Sequence, residues 1–142
     1  MHNRQPDSVE TSAMAVVICK GKILATIENI YGKLTLSLPK GHQEQNELLI
    51  ETAIRECFEE TNVVVTQQNF VKELTPYSYE FTTPSDKLIR KTVVPFLFEI
   101  ADEGHPMPKE KRMVAVRWMN VDDFLPNCTH DNVRLTVAEI LQ

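Results

Sequence analysis

Apolar and polar positions change period several times along the chain, and each change predicts an element. Residues 12–20 are rich in β-branched side chains and read as a strand, and Gly21 with Lys22 separates them from residues 23–28, so the pair predicts a hairpin. Residues 33–38 alternate polar and apolar up to Pro39, which cannot donate to a sheet and ends the strand. The period then lengthens: Ile50, Ala53, Ile54, Cys57 and Phe58 recur at helical spacing and predict one long helix over residues 47–61. Asn62 tolerates the left-handed conformation of a helix C-cap, and the Val63, Val64, Val65 run after it reads as a strand. Residues 70–81 and 89–100 predict two further strands paired across the loop 82–87. A polar, Pro-rich loop over 101–112 precedes a strand over 113–119; Asp122 or Asp123 then caps a short helical turn, and an amphipathic helix runs over 132–141. Strands, a helix, more strands and a last helix predict an α+β domain, or an α/β/α sandwich.

Composition narrows the class. The 142 residues suit a single domain over 11–142, with residues 1–10 as a disordered polar start. No apolar run approaches the roughly 18 residues of a membrane span, which excludes a membrane partner. The polar opening does not read as a secretory signal, and Cys19, Cys57 and Cys128 lie far apart without a CxxC pair, so a reducing cytoplasm is the expectation. His42, His105 and His130 have no zinc-ligand spacing. A net charge of −5 gives no general attraction to nucleic acid. A phosphate-bearing substrate therefore needs something to offset the repulsion, and a divalent cation held by clustered carboxylates does this. Whether the chain is a monomer or a homodimer is open.

The carboxylates concentrate on the long helix. At about 100° per residue, Glu56, Glu59 and Glu60 project within an arc of about 100°, beside the arc of Ala53, Ile54, Cys57 and Phe58. Such crowding raises carboxyl pKa values and makes sense around cations, of which Mg²⁺ prefers oxygen ligands. Taken alone, the cluster reads more readily as a solvated helix face rich in Glu. The wider spacing reverses that reading. Gly41, Glu47, Arg55, Glu56, Cys57, Glu59, Glu60 and Val63 match in spacing the Nudix box, and the segment resembles it, with Asn62 where that pattern has glycine.

The resemblance implies a Nudix fold, an α/β/α sandwich around a mixed sheet. It further implies a hydrolase that cleaves diphosphate linkages in nucleoside diphosphates joined to another moiety, with Mg²⁺ as cofactor and Mn²⁺ as a substitute. By position, Glu59 and Glu60 would be the main metal ligands, the Gly41 carbonyl another, and Glu56 a further ligand or the base. Glu47 and Arg55 match an ion pair that braces the loop against the helix; a phosphate clamp is the other reading of Arg55. Some family members take the base from a later loop. There, Arg112 stands six residues before Trp118, where a glutamate is frequent, and Glu110 is the candidate substitute, with Glu103 behind it.

Leu38-Pro39-Lys40-Gly41-His42 resembles the entry to the box in diadenosine polyphosphate hydrolases, although Leu36 stands where an aromatic is frequent. This implies a small-molecule nucleotide substrate, a dinucleoside polyphosphate such as diadenosine tetraphosphate. An RNA 5′-pyrophosphohydrolase, an ADP-ribose or sugar-nucleotide pyrophosphatase, and a non-catalytic nucleotide-sensing domain are the competing expectations. Lys40 and His42 at the box entry, and Lys91 with Arg90 on a strand, are candidates to reach phosphate. Tyr77, Tyr79 and Phe81 share one face of a strand. The two tyrosines are candidates for a base-binding cleft, and Phe81 and Trp118 for the core.

Overall fold

The computed structural model describes residues 4–142. Eight strands form one mixed sheet: β1 (Ser8–Cys19), β2 (Lys22–Ile30), β3 (Lys33–Ser37), β4 (Lys40–His42), β5 (Phe70–Glu73), β6 (Tyr77–Thr82), β7 (Leu88–Glu99) and β8 (Met113–Asn120). Three helices cover it: α1 (Leu49–Thr61), α2 (Val121–Asn127) and α3 (Asp131–Glu139). At the centre β1 and β7 run parallel, with Ser8 opposite Ile89 and Ile18 opposite Glu99, and the remaining pairs are antiparallel.

Alternation along β1 divides the core in two. Ala13, Ala15 and Val17 join the cluster that contains Ala53 and Cys57 of α1, while Met14, Val16 and Ile18 join the one that contains Phe124 of α2 and Val133 and Val137 of α3. Side chains on successive residues of a strand point to opposite faces, so a strand apolar on both faces must be covered on both. The α/β/α sandwich follows. Phe124, fully buried, contributes roughly 1.5–3 kcal/mol by leaving water.

The structure departs from the sequence reading at several ends. Of the segment 1–10 expected to be disordered, residues 1–3 lie outside the described residues, and Ser8, Val9 and Glu10 already belong to β1. Asp7 fastens this start by accepting the backbone N–H of Leu88 at 2.7 Å. The β1–β2 turn sits one residue earlier than expected, at Lys20 and Gly21, both with positive φ, and Lys22 is in the strand. The strand expected over 63–65 is absent from the sheet. Val63 and Val65 pack beneath α1 while Val64 is exposed, so the alternation reflects burial without ladder pairing.

The strand expected over 70–81 is two. Glu73 faces Phe96 whereas Tyr77 faces Val93, four residues spanning three on β7, and this slip falls where Pro76 and Pro95 have no N–H to donate. The first helix starts at Leu49 and not at 47, because the carboxylate of Glu47 turns away to bond Arg55 and Thr52. It ends as expected, with Asn62 left-handed at φ 67°. Asp122 and Asp123 lie inside the first turn of α2 and not at its cap.

Candidate active site

Strand β4 places the start of the box on the central strand: Gly41 pairs with Ala13, and the N–H of Ala15 donates to the Pro39 carbonyl at 2.9 Å. Gly41 has an ordinary backbone conformation, so its lack of a side chain matters for space. A Cβ there would lie 2.1–2.5 Å from the Glu56 carboxylate, which packs directly on the strand.

Arg55 ties this segment together. It grips both carboxylate oxygens of Glu47, at 2.7 and 3.0 Å, donates to the His42 carbonyl at 2.9 Å, and reaches Glu56 at 2.8 Å and Glu59 at 3.2 Å. All five guanidinium N–H groups are thereby engaged, so none is left to clamp a phosphate. The Arg55 guanidinium holds the Glu47 carboxyl at about 2.

Glu60, one turn after Glu56, is fully buried. Burial, and then the neighbouring Glu56 carboxylate, hold its carboxyl well above the usual range. The loop before β8 brings the third carboxylate. That loop is pinned to the helix end and the sheet, with Met107 N–H on the Thr61 carbonyl at 2.9 Å, Asn62 on the His105 carbonyl at 3.0 Å, and the Trp118 indole on the Glu103 carbonyl at 3.1 Å. Among the described residues, Glu56, Glu60 and Glu110 bring carboxylate oxygens within 4.8 Å of one another. Glu59 stands outside this cluster. The helix wheel placed it with the others, but Arg55 at i−4 draws its carboxylate outward.

The centre opens into a cavity of about 750 Å³. Gly41, Lys40, His42, Tyr77, Tyr79 and Lys91 all line it, together with Glu56 and Glu110. The rings of Tyr77 and Tyr79 stack at 6.4 Å. Burial and the nearby Lys40 lower the Lys91 ammonium from its ordinary value. Arg90 points elsewhere, to Glu80 at 2.9 Å, and Glu103 supplies only its carbonyl to Trp118. Phe81, expected in the core, is 39% exposed and leans on Tyr79, because among the described residues β6 pairs only with β7. Trp118 packs with the α1-side core as expected.

Sequence reasoning missed Glu28, Thr35 and the start of α3 at His130–Val133, all of which line the cavity. Glu28 is 6% exposed, and a bulge between Ile27 and Glu28 in the β2–β8 pairing brings it beside Arg112, at 3.2 Å. The available signal was a lone carboxylate after the apolar run of a strand, between Ile27 and Asn29.

The NUDIX domain family matches residues 9–139. The chain belongs to this family. It is 30% identical over 112 residues to phosphatase NudJ of Escherichia coli K12, covering 78% of this chain and 67% of that protein. Among solved structures it resembles the MutT NUDIX hydrolase of Burkholderia pseudomallei, with a TM-score of 0.73 and 19% identity over 93% of this chain and 98% of that one. It also resembles a Caenorhabditis elegans Ap4A hydrolase, with a TM-score of 0.71 and 16% identity over 93% of this chain and 95% of that one. The chain is thus a NUDIX hydrolase of nucleoside-diphosphate-linked compounds, with the α+β NUDIX fold. The family uses divalent metals, and the donor set fits one: three clustered carboxylates, one of them fully buried, offer hard oxygen ligands. Among the described residues no helix is long and apolar enough to cross a membrane.

Proposed function

We propose that this protein is a Mg²⁺-dependent hydrolase of dinucleoside polyphosphates such as diadenosine tetraphosphate, with Mn²⁺ as a substitute ion. The observation that carries the reading is that one cavity holds the carboxylate centre at one wall and a stacked tyrosine pair with two lysines at another. A nucleobase has a π-face for Tyr77 and Tyr79, and a polyphosphate chain has charges for Lys40, Lys91 and His42. The likeness in fold to an Ap4A hydrolase supports the same substrate class.

Glu56 and Glu60, with the Gly41 carbonyl, would hold the ion, and Glu59, now paired with Arg55, would be a further ligand. The bound ion supplies charge neutralisation at the phosphates and acidifies a water molecule. Glu47 and Arg55 hold the box loop against the helix so that Glu56 keeps its place. Glu110, at the mouth of the cluster and one-third exposed, takes the proton from the attacking water, with Glu56 as the competing base. Oxygen of that water bonds to phosphorus as the anhydride P–O bond breaks, and the tyrosine pair and lysines keep the two halves of the substrate in place. Three buried, unpaired cysteines suit a reducing cytoplasm.

The test is a panel of diadenosine tetraphosphate, ADP-ribose, a sugar nucleotide, nucleoside triphosphates and 5′-triphosphate RNA, incubated with Mg²⁺ in ¹⁸O-labelled water. Preferential turnover of diadenosine tetraphosphate, with label in one product phosphate, supports the reading. Turnover of ADP-ribose or of RNA ends alone refutes it.

A further inference from the structure

Arg112 enters the carboxylate centre from the start of β8. Its Nε lies 3.2 Å from Glu28, and its Nη2 lies 3.0 Å from Glu60 and 3.2 Å from Glu110. These partners sit on three separate elements, β2, α1 and the loop before β8. Two of the three carboxylates able to share a cation are therefore already sharing one. Both Glu28 and Glu60 are buried, and a buried carboxylate without a counter-charge is strongly disfavoured. Arg112 supplies that charge permanently, through a tether, and it remains ionised at any pH the protein meets.

The position also constrains where further cations fit. A guanidinium within 3.0–3.2 Å of Glu60 and Glu110 occupies the space between them. A divalent ion bridging those two carboxylates would sit against a fixed positive charge, which is repulsive at short range in a part-buried site. Glu56 pairs with Arg55, and among the described residues Arg112 bonds Glu28, Glu60 and Glu110 but not Glu56, so Glu56 remains open to an ion.

We propose that Arg112 is a resident cation of the carboxylate centre, standing in for one divalent ion between Glu60 and Glu110, so that the protein binds one ion where the same site without Arg112 binds two. This rests on the reading of the centre as a metal site. Its consequence is a centre that is assembled before the ion arrives, with the β2, α1 and β8 contributions already drawn together. The Nη1 of Arg112 has no hydrogen-bond partner among the described residues and is free to meet a phosphate oxygen in the cavity it lines.

The experiment titrates the protein with Mn²⁺ in the absence of substrate and counts bound ions from the loss of the free-Mn²⁺ signal in electron paramagnetic resonance. The native protein is expected to bind one Mn²⁺, Arg112→Gln two, and Arg112→Lys, which keeps the charge, one. Circular dichroism checks that each variant is folded. Two ions in the native protein, or equal numbers in native and Arg112→Gln, overturn the inference and leave the metal reading standing. If Arg112→Gln does not fold, the native count decides alone. No binding by native or variant protein overturns both readings together.

Discussion

Glu47→Gln replaces a carboxylate by an amide of the same shape and isolates what the Glu47–Arg55 pair contributes. The amide oxygen can still accept from Thr52, whose hydroxyl lies at 2.7 Å, but its NH₂ group then faces the Arg55 Nε–H, now 2.7 Å from an acceptor. The magnitude follows from the carboxyl itself, held at about 2 against an ordinary 4.5. At ~1.4 kcal/mol per pH unit, the folded state gains about 3 kcal/mol from keeping Glu47 ionised. Arg55 rises by more than Glu47 falls because Glu56 also holds it, so the Glu47 side measures this pair. The group's folded value is depressed, so its contribution is fully present above the unfolded value and disappears as pH falls through 4.5 towards about 2. Urea unfolding followed by the fluorescence of the single tryptophan, Trp118, should show the variant less stable by about 2–3 kcal/mol at neutral pH. The gap should close in the acid range. A loss below about 0.5 kcal/mol, or a gap that stays constant as pH falls, refutes the reasoning.

Three further predictions concern the centre. Glu60→Gln should lower kcat by about 100-fold or more without lowering Tm, since it removes an oxygen that could bind an ion but keeps the shape and an acceptor for Arg112; a fall in Tm with activity intact contradicts this. Gly41→Ala should fold within about 1 kcal/mol of the native protein, because the atoms in the way end a flexible side chain. Its displaced Glu56 should weaken Mn²⁺ binding about tenfold, and unchanged affinity would sink the account. Because burial and Glu56 hold Glu60 protonated above its ordinary range, ion binding must expel a proton and tighten as pH rises; calorimetry in buffers of different ionisation enthalpy reads this directly, and a buffer-independent heat opposes it.

What was legible in the sequence was local. Glu56 and Glu60 lie one turn apart on one helix, so their neighbourhood emerges from residue numbers alone, whereas the Glu47–Arg55 pair, with Glu47 outside the helix, came only from the resemblance to the Nudix box. Alternation on β6 likewise put Tyr77 and Tyr79 on one face; both line the cavity, and Phe81 does not. Long-range pairing carried the rest. Glu28 reaches the centre only because β2 bulges against β8, and Arg112 meets Glu60 across 52 positions of chain. Glu59 stands outside the cluster for a competing local reason, its pairing with Arg55 one turn back.

The central claim is that Glu56 and Glu60 hold a divalent ion, with Glu110 beside them as the base, and that this centre drives hydrolysis. Its most direct test is turnover of diadenosine tetraphosphate by native protein and Glu56→Gln, each stripped with chelator and then titrated with Mg²⁺. The account predicts no native turnover in chelator, full recovery with Mg²⁺, and a loss of about 100-fold or more in the folded variant. Turnover that persists in chelator, or a Glu56→Gln variant as active as the native protein, contradicts it.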